Sequence, residues 1–367
     1  MEIEITTPET SSEFSALAGM FTYDHEQVVF CQDKSTGLKA IIAIHDTTLG
    51  PALGGTRMWN YASEQEALTD VLRLSRGMTY KSSVAGINLG GGKAVIIGNS
   101  RADKSEALFR RFGKFVDSLG GKYITAEDVG ISPNDIEQVH METDHVTGVP
   151  EYLGGSGDPS PVTAYGVYVG MKAAAKKAYG SDSLAGKKVM VQGVGSVGYY
   201  LVELLAKEGA VISVSDIYEP SIKKVLTNFK ASVVNVNDVY KADMDIYAPC
   251  ALGATVNDAT LKELKCNIIA GAANNQLAVE TIHGEALKSA GILYAPDYVI
   301  NSGGIINCYW ELQGYNKDAA ISQTEKIFDT TTEIFNKSEK ENIPTYLAAN
   351  KMAEQRIIAI GKIKTSF

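Results

Sequence analysis

The stretch that decides the fold is residues 188–198, which read KVMVQGVGSVG. An apolar run typical of a strand comes first, and a GxGxxG pattern follows where a helix is predicted to begin. There Gly193 permits a tight turn, Gly195 lets backbone approach a pyrophosphate, and Gly198 lets helix and strand pack closely. Free amides at the helix N-terminus favour an anion. The predicted dinucleotide-binding loop is Gly193, Val194, Gly195, Ser196, Val197 and Gly198.

A carboxylate ends the next predicted strand, eighteen residues after the last glycine of the motif. Asp216 at this place would accept hydrogen bonds from a ribose 2′-hydroxyl and would repel a 2′-phosphate. The pattern therefore favours NAD over NADP as the cofactor. The alternative is a glycine-rich turn that binds no cofactor.

Strands and helices alternate around this loop, which indicates a parallel, doubly wound sheet of the Rossmann type. A helix precedes them, and we predict that it starts with Ser160 as its N-cap and Pro161 as its first residue. The predicted strands of this half are 189–192, 211–215, 246–248, 268–270 and 292–295.

The first part of the chain has a different pattern, with two apolar runs, 27–31 and 38–45, joined by a turn-rich segment. A helix follows, in which Ser63 caps the N-terminus and Glu66 reaches back to the cap amide. We therefore predict two α/β domains. The expected bounds are 1–148 for the first domain, 149–329 for the NAD-binding domain and 330–367 for a helical tail that packs back on the first.

Composition narrows the function classes. The 367 residues carry a net charge of −9, which offers no bulk attraction to nucleic acid or to an anionic membrane. No apolar run is long enough to span a bilayer, and residues 1–4 lack a leader pattern. Four cysteines without a CxxC pair, and His140 and His145 without a third ligand, predict neither disulfides nor a metal site. We expect a cytoplasmic protein.

Three charged residues are candidates for acid–base chemistry. Lys81 ends the capped helix, and Lys93 follows three glycines before a buried strand. Two neighbouring ammonium groups lower each other's pKa, so one lysine could act as a base while the other holds a carboxylate. Asp128 would add an acid at a strand end. From these residues alone, two surface lysines and a turn aspartate remain open alternatives.

With these motifs together, the chain resembles the glutamate/leucine/phenylalanine/valine dehydrogenase family over nearly its whole length. The resemblance implies reversible oxidative deamination of an L-amino acid, with NAD as hydride acceptor and a 2-oxo acid and ammonium as products. The segments that carry it are 50–58, 78–81, 88–98, 123–130, 157–173, 247–253, 271–277 and 294–307.

The resemblance also implies residue roles. Lys93 matches the catalytic lysine, Lys81 the lysine that holds the substrate carboxylate, and Asp128 the acid that assists proton transfer at the amino group. Gly54 and Gly55 match a backbone turn beside the substrate. Thr163, Asn275 and Asn301 match residues around the nicotinamide and its ribose. Cys250 and Ala251 match a turn that contacts the cofactor.

A contrast within the family suggests the substrate side chain. Leu53 stands where the glutamate-specific members carry a lysine, so an acidic side chain would go unpaired here. Ala126, Ile305 and Cys308 match the other pocket positions, and Cys308 departs from the aliphatic residue usual in branched-chain members. We expect L-leucine as substrate, with valine and isoleucine also accepted, and a homo-oligomer, an octamer by family resemblance. The alternatives are valine or phenylalanine dehydrogenation, or a non-catalytic NAD-binding regulator.

Overall fold

A computed structural model of the chain describes residues 15–365. Residues 1–4, considered above for a leader pattern, lie outside them. Among the described residues, no helix is both long and apolar enough to cross a membrane. The elements of the first part are, in order, α1 (Ala16–Tyr23), β1 (Gln27–Asp33), β2 (Leu38–Asp46), β3 (Ala52–Leu53), β4 (Thr56–Trp59), α2 (Glu64–Val84), β5 (Gly90–Ile97), α3 (Glu106–Asp117), β6 (Tyr123–Ile124) and α4 (Pro133–His140).

The first sheet is mixed. Its strands run in the order β1-β2-β5-β3-β6, with β4 also paired to β5. The predicted hairpin is confirmed, because β1 and β2 pair antiparallel with Gln27 opposite Ile44. Successive strand residues point to opposite faces, so Ile41 and Val95 pack on α2 while Ile42 and Ile96 pack on α3 and α4.

The second part begins after a connecting segment, residues 146–159. Its elements are α5 (Ser160–Tyr179), β7 (Lys188–Gln192), α6 (Ser196–Glu208), β8 (Val211–Ser215), α7 (Glu219–Asn228), β9 (Ser232–Val233), β10 (Ile246–Pro249), β11 (Ile268–Ile269), α8 (Glu280–Ser289), β12 (Leu293–Tyr294), α9 (Asp297–Ile300), α10 (Gly303–Leu312), α11 (Lys317–Glu325), α12 (Ile327–Glu341) and α13 (Thr345–Thr365).

The predicted doubly wound sheet is confirmed. Six parallel strands run in the order β12-β11-β10-β7-β8-β9, so the chain reverses direction across the sheet between β7 and β10. In such sheets ligands bind at the carboxyl ends of the strands beside this reversal. The glycine loop follows β7 and residue 250 follows β10, which places both at that crevice.

Local predictions at two helix starts were wrong in detail. Ser160 does not cap α5 with its side chain, because Pro159 occupies the N-cap position and Asp158 accepts the Ser160 amide at 2.8 Å. Ser63 does cap α2, but the Glu66 carboxylate accepts from the Ala62 amide, one residue before the cap. The short strands β3, β4 and β9 were not predicted, since two to four residues carry little periodicity.

The helical tail is confirmed as helical and contacts both parts of the molecule. Helix α12 packs on α5, and α13 returns to α2. There the Arg356 guanidinium donates to the carbonyl oxygens of Ser83 and Ile87 at 3.3 and 2.9 Å. A cation at the carboxyl end of a helix satisfies carbonyls that have no partner within the helix. The tail therefore supports the end of α2 on which Lys81 lies.

Candidate active site

The glycines before Lys93 let α2 lie directly on β5. A Cβ added at Gly91 would lie 2.1 Å from the Thr79 amide nitrogen, and one added at Gly92 would lie 2.7 Å from the Tyr123 ring. No larger residue fits at either position without a shift of the backbone. This close contact brings Lys81, in the last turn of α2, and Lys93, in β5, to the same cleft.

Lys93 belongs to a buried charged cluster. The residue is 6% exposed, and its Nζ lies 2.6 Å from Asp128 Oδ2. The same oxygen accepts from Arg57 Nε at 3.2 Å, and Arg57 Nη1 also contacts Asp70 at 3.0 Å. Burial alone would raise the pKa of Asp128, but the Lys93 and Arg57 charges hold it below its ordinary value. Asp128 is therefore an ionised acceptor fixed against Lys93.

Lys81 reaches across the cleft. Its Nζ donates to Asn274 Oδ1 at 3.1 Å, and Asn301 Nδ2 donates to the same oxygen at 2.8 Å. Burial, followed by repulsion from Lys93, lowers the pKa of Lys81 to about 8, although Asp297 acts in the opposite direction. Lys93 therefore contributes to the lowered pKa of Lys81, but burial is the larger cause.

The pocket around the lysines is lined from both parts of the chain. Beside Arg57 and the two lysines it includes Met78 from α2 and Asn275 and Asp297 from the second part. Within residues 15–365, no group of three histidine, cysteine or acidic side chains is placed to hold a metal ion. The charges available in this pocket are those of side chains.

The glycine loop is in close contact with its neighbours at two of its three glycines. Gly193 has φ +94°, and a Cβ there would lie 2.6 Å from the Ala251 Cβ. A Cβ at Gly198 would lie 2.1 Å from the Gly193 carbonyl oxygen, so α6 and β7 are in close contact. At Gly195, in contrast, a Cβ would meet no protein atom within 4 Å. The loop is therefore open at Gly195, beside Val194, Ser196 and Val197.

The residues predicted beside the loop form two groups. Asp216 closes β8, where its carboxylate accepts from the Val194 amide at 2.7 Å and from the Tyr218 amide at 2.8 Å. Cys250 follows β10, and burial raises the pKa of its thiol to about 12. Both residues therefore follow strands that flank β7 in the sheet.

The second group lies toward the lysines. Asn301 donates to the Ala272 carbonyl oxygen at 3.0 Å, while its own buried Oδ1 has no hydrogen-bond partner among the described residues. Asn275 adopts φ +53°, and Thr163 packs against the start of α10. An unpaired buried acceptor fits an amide group, such as a nicotinamide carboxamide. Asn301 thus links the predicted cofactor residues to the lysine pocket, because it contacts the same Asn274 oxygen as Lys81.

The predicted side-chain pocket residues are all buried. Leu53, in β3, is 2% exposed and belongs to one continuous apolar cluster with Ile305 and Cys308 of α10. Ala126 lies beside β4 and accepts the Thr56 amide at 2.8 Å. The backbone beside Leu53 is tight, since a Cβ at Gly54 would meet the Gly92 carbonyl oxygen at 1.7 Å and one at Gly55 that of Glu127 at 2.3 Å.

Sequence reasoning missed three residues of this site. Arg57 and Asn274 contact the named catalytic candidates, and Asp297 is a buried acid beside Lys81. A signal existed for Arg57, because a cation that follows two glycines and precedes Met58 and Trp59 needs a partner if it is buried. Asn274 gave no such signal, since only the fold brings it to Lys81.

The family models match this architecture. The Glu/Leu/Phe/Val dehydrogenase dimerisation domain matches residues 25–145, and the Glutamate/Leucine/Phenylalanine/Valine dehydrogenase model matches residues 154–219 and 219–364. The chain belongs to the glutamate/leucine/phenylalanine/valine dehydrogenase family, and the predicted resemblance is confirmed.

Individual relatives give a finer comparison. The chain is 58% identical over 348 residues to a leucine dehydrogenase of Geobacillus stearothermophilus, covering 95% of each chain. It is 49% identical to a phenylalanine dehydrogenase of Bacillus thermotolerans, covering 92% of this chain and 90% of the relative. Among solved structures, an L-tryptophan dehydrogenase from Nostoc punctiforme has a TM-score of 0.81 at 46% identity, over 94% and 99% of the two chains.

Proposed function

We propose that this chain catalyses the NAD-dependent, reversible oxidative deamination of L-leucine, and that it also accepts valine and isoleucine. The observation that carries the proposal is the pairing of Lys93 with Asp128 at 2.6 Å in the pocket that Lys81 also enters. The similarity to leucine dehydrogenases supports the choice of substrate, since the phenylalanine-specific relatives are less similar.

The cofactor contacts follow from the crevice. The glycine loop and the amino end of α6 would hold the pyrophosphate, Asp216 a ribose hydroxyl, and Asn301 the carboxamide. When bound, NAD accepts the hydride that leaves the substrate Cα. Asp216 already uses one oxygen on the loop amide of Val194, which fixes the carboxylate in place. A 2′-phosphate would meet this fixed negative charge, so NAD is the expected cofactor.

The side chains supply binding and proton transfer. Lys81 binds the substrate carboxylate with its ammonium group, and the gain of this anion offsets the burial that lowers its pKa. Lys93 first passes its proton to Asp128 along their 2.6 Å contact and then takes a proton from the water that adds to the imine. The ammonium group formed in this way stabilises charge on the carbinolamine oxygen. Asp128 accepts a hydrogen bond from the substrate amino group and carries the proton that leaves with ammonia.

The two parts of the molecule divide the work. We assign substrate binding and oligomerisation to residues 1–148, cofactor binding to 149–329 and a supporting role to the tail, 330–367. We also assign the chain to a homo-oligomer, an octamer in its full form. Strand β1 is an edge strand whose Phe30 is 60% exposed, and such an edge favours pairing with a second copy. Light scattering of the purified protein measures the subunit count.

The test of the function is an NADH-absorbance assay with each of the twenty amino acids and with both NAD and NADP. We expect leucine to give the highest kcat/KM, valine and isoleucine to follow, and NAD to be strongly preferred. Higher kcat/KM with phenylalanine, or equal use of NADP, would contradict the assigned substrate or cofactor. Absence of turnover with every amino acid would favour a non-catalytic NAD-binding protein.

A further inference from the structure

One carboxylate, that of Glu311, accepts four hydrogen bonds from the connecting segment between the two sheets. The segment, residues 146–159, leaves the first sheet at Val146, which bridges to Thr125, and ends where α5 begins. Glu311, near the end of α10, accepts from the Gly148 amide at 3.0 Å and from the Val149 amide at 3.2 Å. It also accepts from the amide and the hydroxyl of Ser156, at 3.0 and 2.5 Å.

These four hydrogen bonds restrain a stretch that is otherwise permissive. Gly148, Gly154 and Gly157 all have positive φ values, between +66° and +88°. Glycine in this region changes conformation at little steric cost, and such residues are common where domains move relative to one another. Hydrogen bonds to an ionised acceptor are stronger than those between neutral groups. The Glu311 carboxylate therefore limits the conformational freedom of these glycines.

The same helix carries the side-chain pocket. Cys308 lies three residues before Glu311 in α10, so the two are neighbours on adjoining turns. Thr147 of the connecting segment lowers the pKa of the Cys308 thiol, although burial is the larger cause and raises it to about 12. Ile305, one turn earlier, also lies in the apolar cluster that includes Leu53. The connecting segment and one wall of the pocket are therefore held together at the same place.

We propose that Glu311 is a positioning residue that fixes the connecting segment to α10, and that this contact keeps Ile305 and Cys308 in place against Leu53 when substrate binds. The inference rests on the proposed function only for its kinetic readout. Glu311 acts through the backbone of residues 148, 149 and 156, and it is not among the residues that line the lysine pocket. Loss of the carboxylate should therefore affect substrate binding more than cofactor binding.

Amide hydrogen exchange directly tests the first part of the proposal, that Glu311 holds the connecting segment in place. Peptides that cover residues 146–159 are compared in the full-length wild type, in Glu311→Gln and in Glu285→Gln, an exposed glutamate of α8 that serves as the matched control. An amide side chain directs an NH₂ group at some of the backbone donors, so we expect at least ~10-fold faster exchange in Glu311→Gln only. Unchanged exchange in that variant would overturn the anchor.

Enzyme kinetics test the second part of the proposal, that this contact keeps Ile305 and Cys308 in place when substrate binds. We expect Glu311→Gln to raise the KM for leucine about tenfold while the Kd for NADH stays within about twofold of wild type. Glu311→Asp, which retains the charge, should recover part of the loss. Faster exchange with an unchanged KM would show a purely structural contact and would overturn the proposal.

A milder variant covers a failure of Glu311→Gln to fold. Ser156→Ala removes only the hydroxyl hydrogen bond, so it should raise KM in the same direction by a smaller factor. Its effect should also not add fully to that of Glu311→Gln, because the two residues are partners. Full additivity would contradict the proposal. If wild type turned over no leucine, the proposed function would fail, and the exchange experiment would still decide the anchor.

Discussion

The lysine pocket and the glycine loop differ in what determines their shape: side chains in the pocket and backbone in the loop. In the pocket, charged side chains fix one another, as in the contact of Lys93 with Asp128 at 2.6 Å. In the loop, the backbone conformation determines the shape. Gly195 faces open space, in which an added Cβ would meet no protein atom within 4 Å. Removal of one side chain should therefore damage the first region, whereas addition of one should damage the second.

The largest expected effect is a loss of turnover from a substitution in the lysine pocket. Lys93→Ala removes the proton-transfer group and leaves Asp128 with Arg57 as its remaining cation. We expect kcat to fall by at least ~100-fold, the lower range for an acid–base group. Steady-state NADH absorbance measures it, and Lys317→Ala, an exposed lysine at the start of α11, is the control. Turnover close to wild type would reject the assignment of Lys93.

The next largest effect is a loss of NADH affinity from a substitution in the glycine loop. Gly195→Ala adds a methyl group in the space kept for the pyrophosphate, and we expect the Kd for NADH to rise about tenfold, which corresponds to ~1.4 kcal/mol. No protein atom lies near the new Cβ, so Tm should stay unchanged. Gly198→Ala makes a useful contrast. Its Cβ would lie 2.1 Å from a carbonyl oxygen, so that variant should lose stability as well as affinity. Equal behaviour of the two variants would contradict the account of the loop.

A pH dependence sharpens the role of Lys81. Because its pKa is lowered to about 8, the free enzyme loses this positive charge as pH rises above 8. The KM for the branched-chain 2-oxo acid should be flat below pH 8 and rise up to about tenfold per pH unit above it. Lys81→Arg keeps its charge across this range and should remove the rise. A rise that persists in Lys81→Arg would assign the titration to another group.

The smallest effect concerns Leu53. Leu53→Ala enlarges the pocket and should shift the ratio of kcat/KM for phenylalanine over valine by about tenfold, since lost methylene contacts are worth only ~1–3 kcal/mol. Leu53→Lys supplies a counter-charge and should make glutamate detectable as a substrate. If Leu53 only packs the core, both variants would instead lose activity on leucine, valine, phenylalanine and glutamate in equal proportion.

The comparison also explains what could be predicted from sequence. The glycine loop and its sheet are local features, because a strand, a turn and a helix follow one another within residues 188–208. Their pattern alone predicted the parallel sheet that the structure contains. Long helices and strands were likewise predictable from period and capping, whereas two-residue strands such as β3 were not.

The charged pocket depends on partners that are distant in the chain. Asn274 meets Lys81 from 193 positions away, and the four donors to Glu311 come from more than 150 positions away. Sequence could nominate Lys81 and Lys93 as a pair, but it could not show that burial depresses the pKa of Lys81. Burial and charge partners belong to the folded chain, so these properties required the structure.

The most direct test of the central claim measures NADH affinity and turnover in one variant of the pocket and one of the loop. Lys93→Ala and Gly195→Ala are each examined by NADH fluorescence titration and by turnover at saturating NAD. The account predicts a crossed result: Lys93→Ala binds NADH within about twofold of wild type but turns over at least ~100-fold more slowly. Gly195→Ala binds NADH about tenfold more weakly yet approaches wild-type turnover once saturated. Parallel loss of affinity and turnover in both variants would show that the two regions are not separable, and would contradict the account.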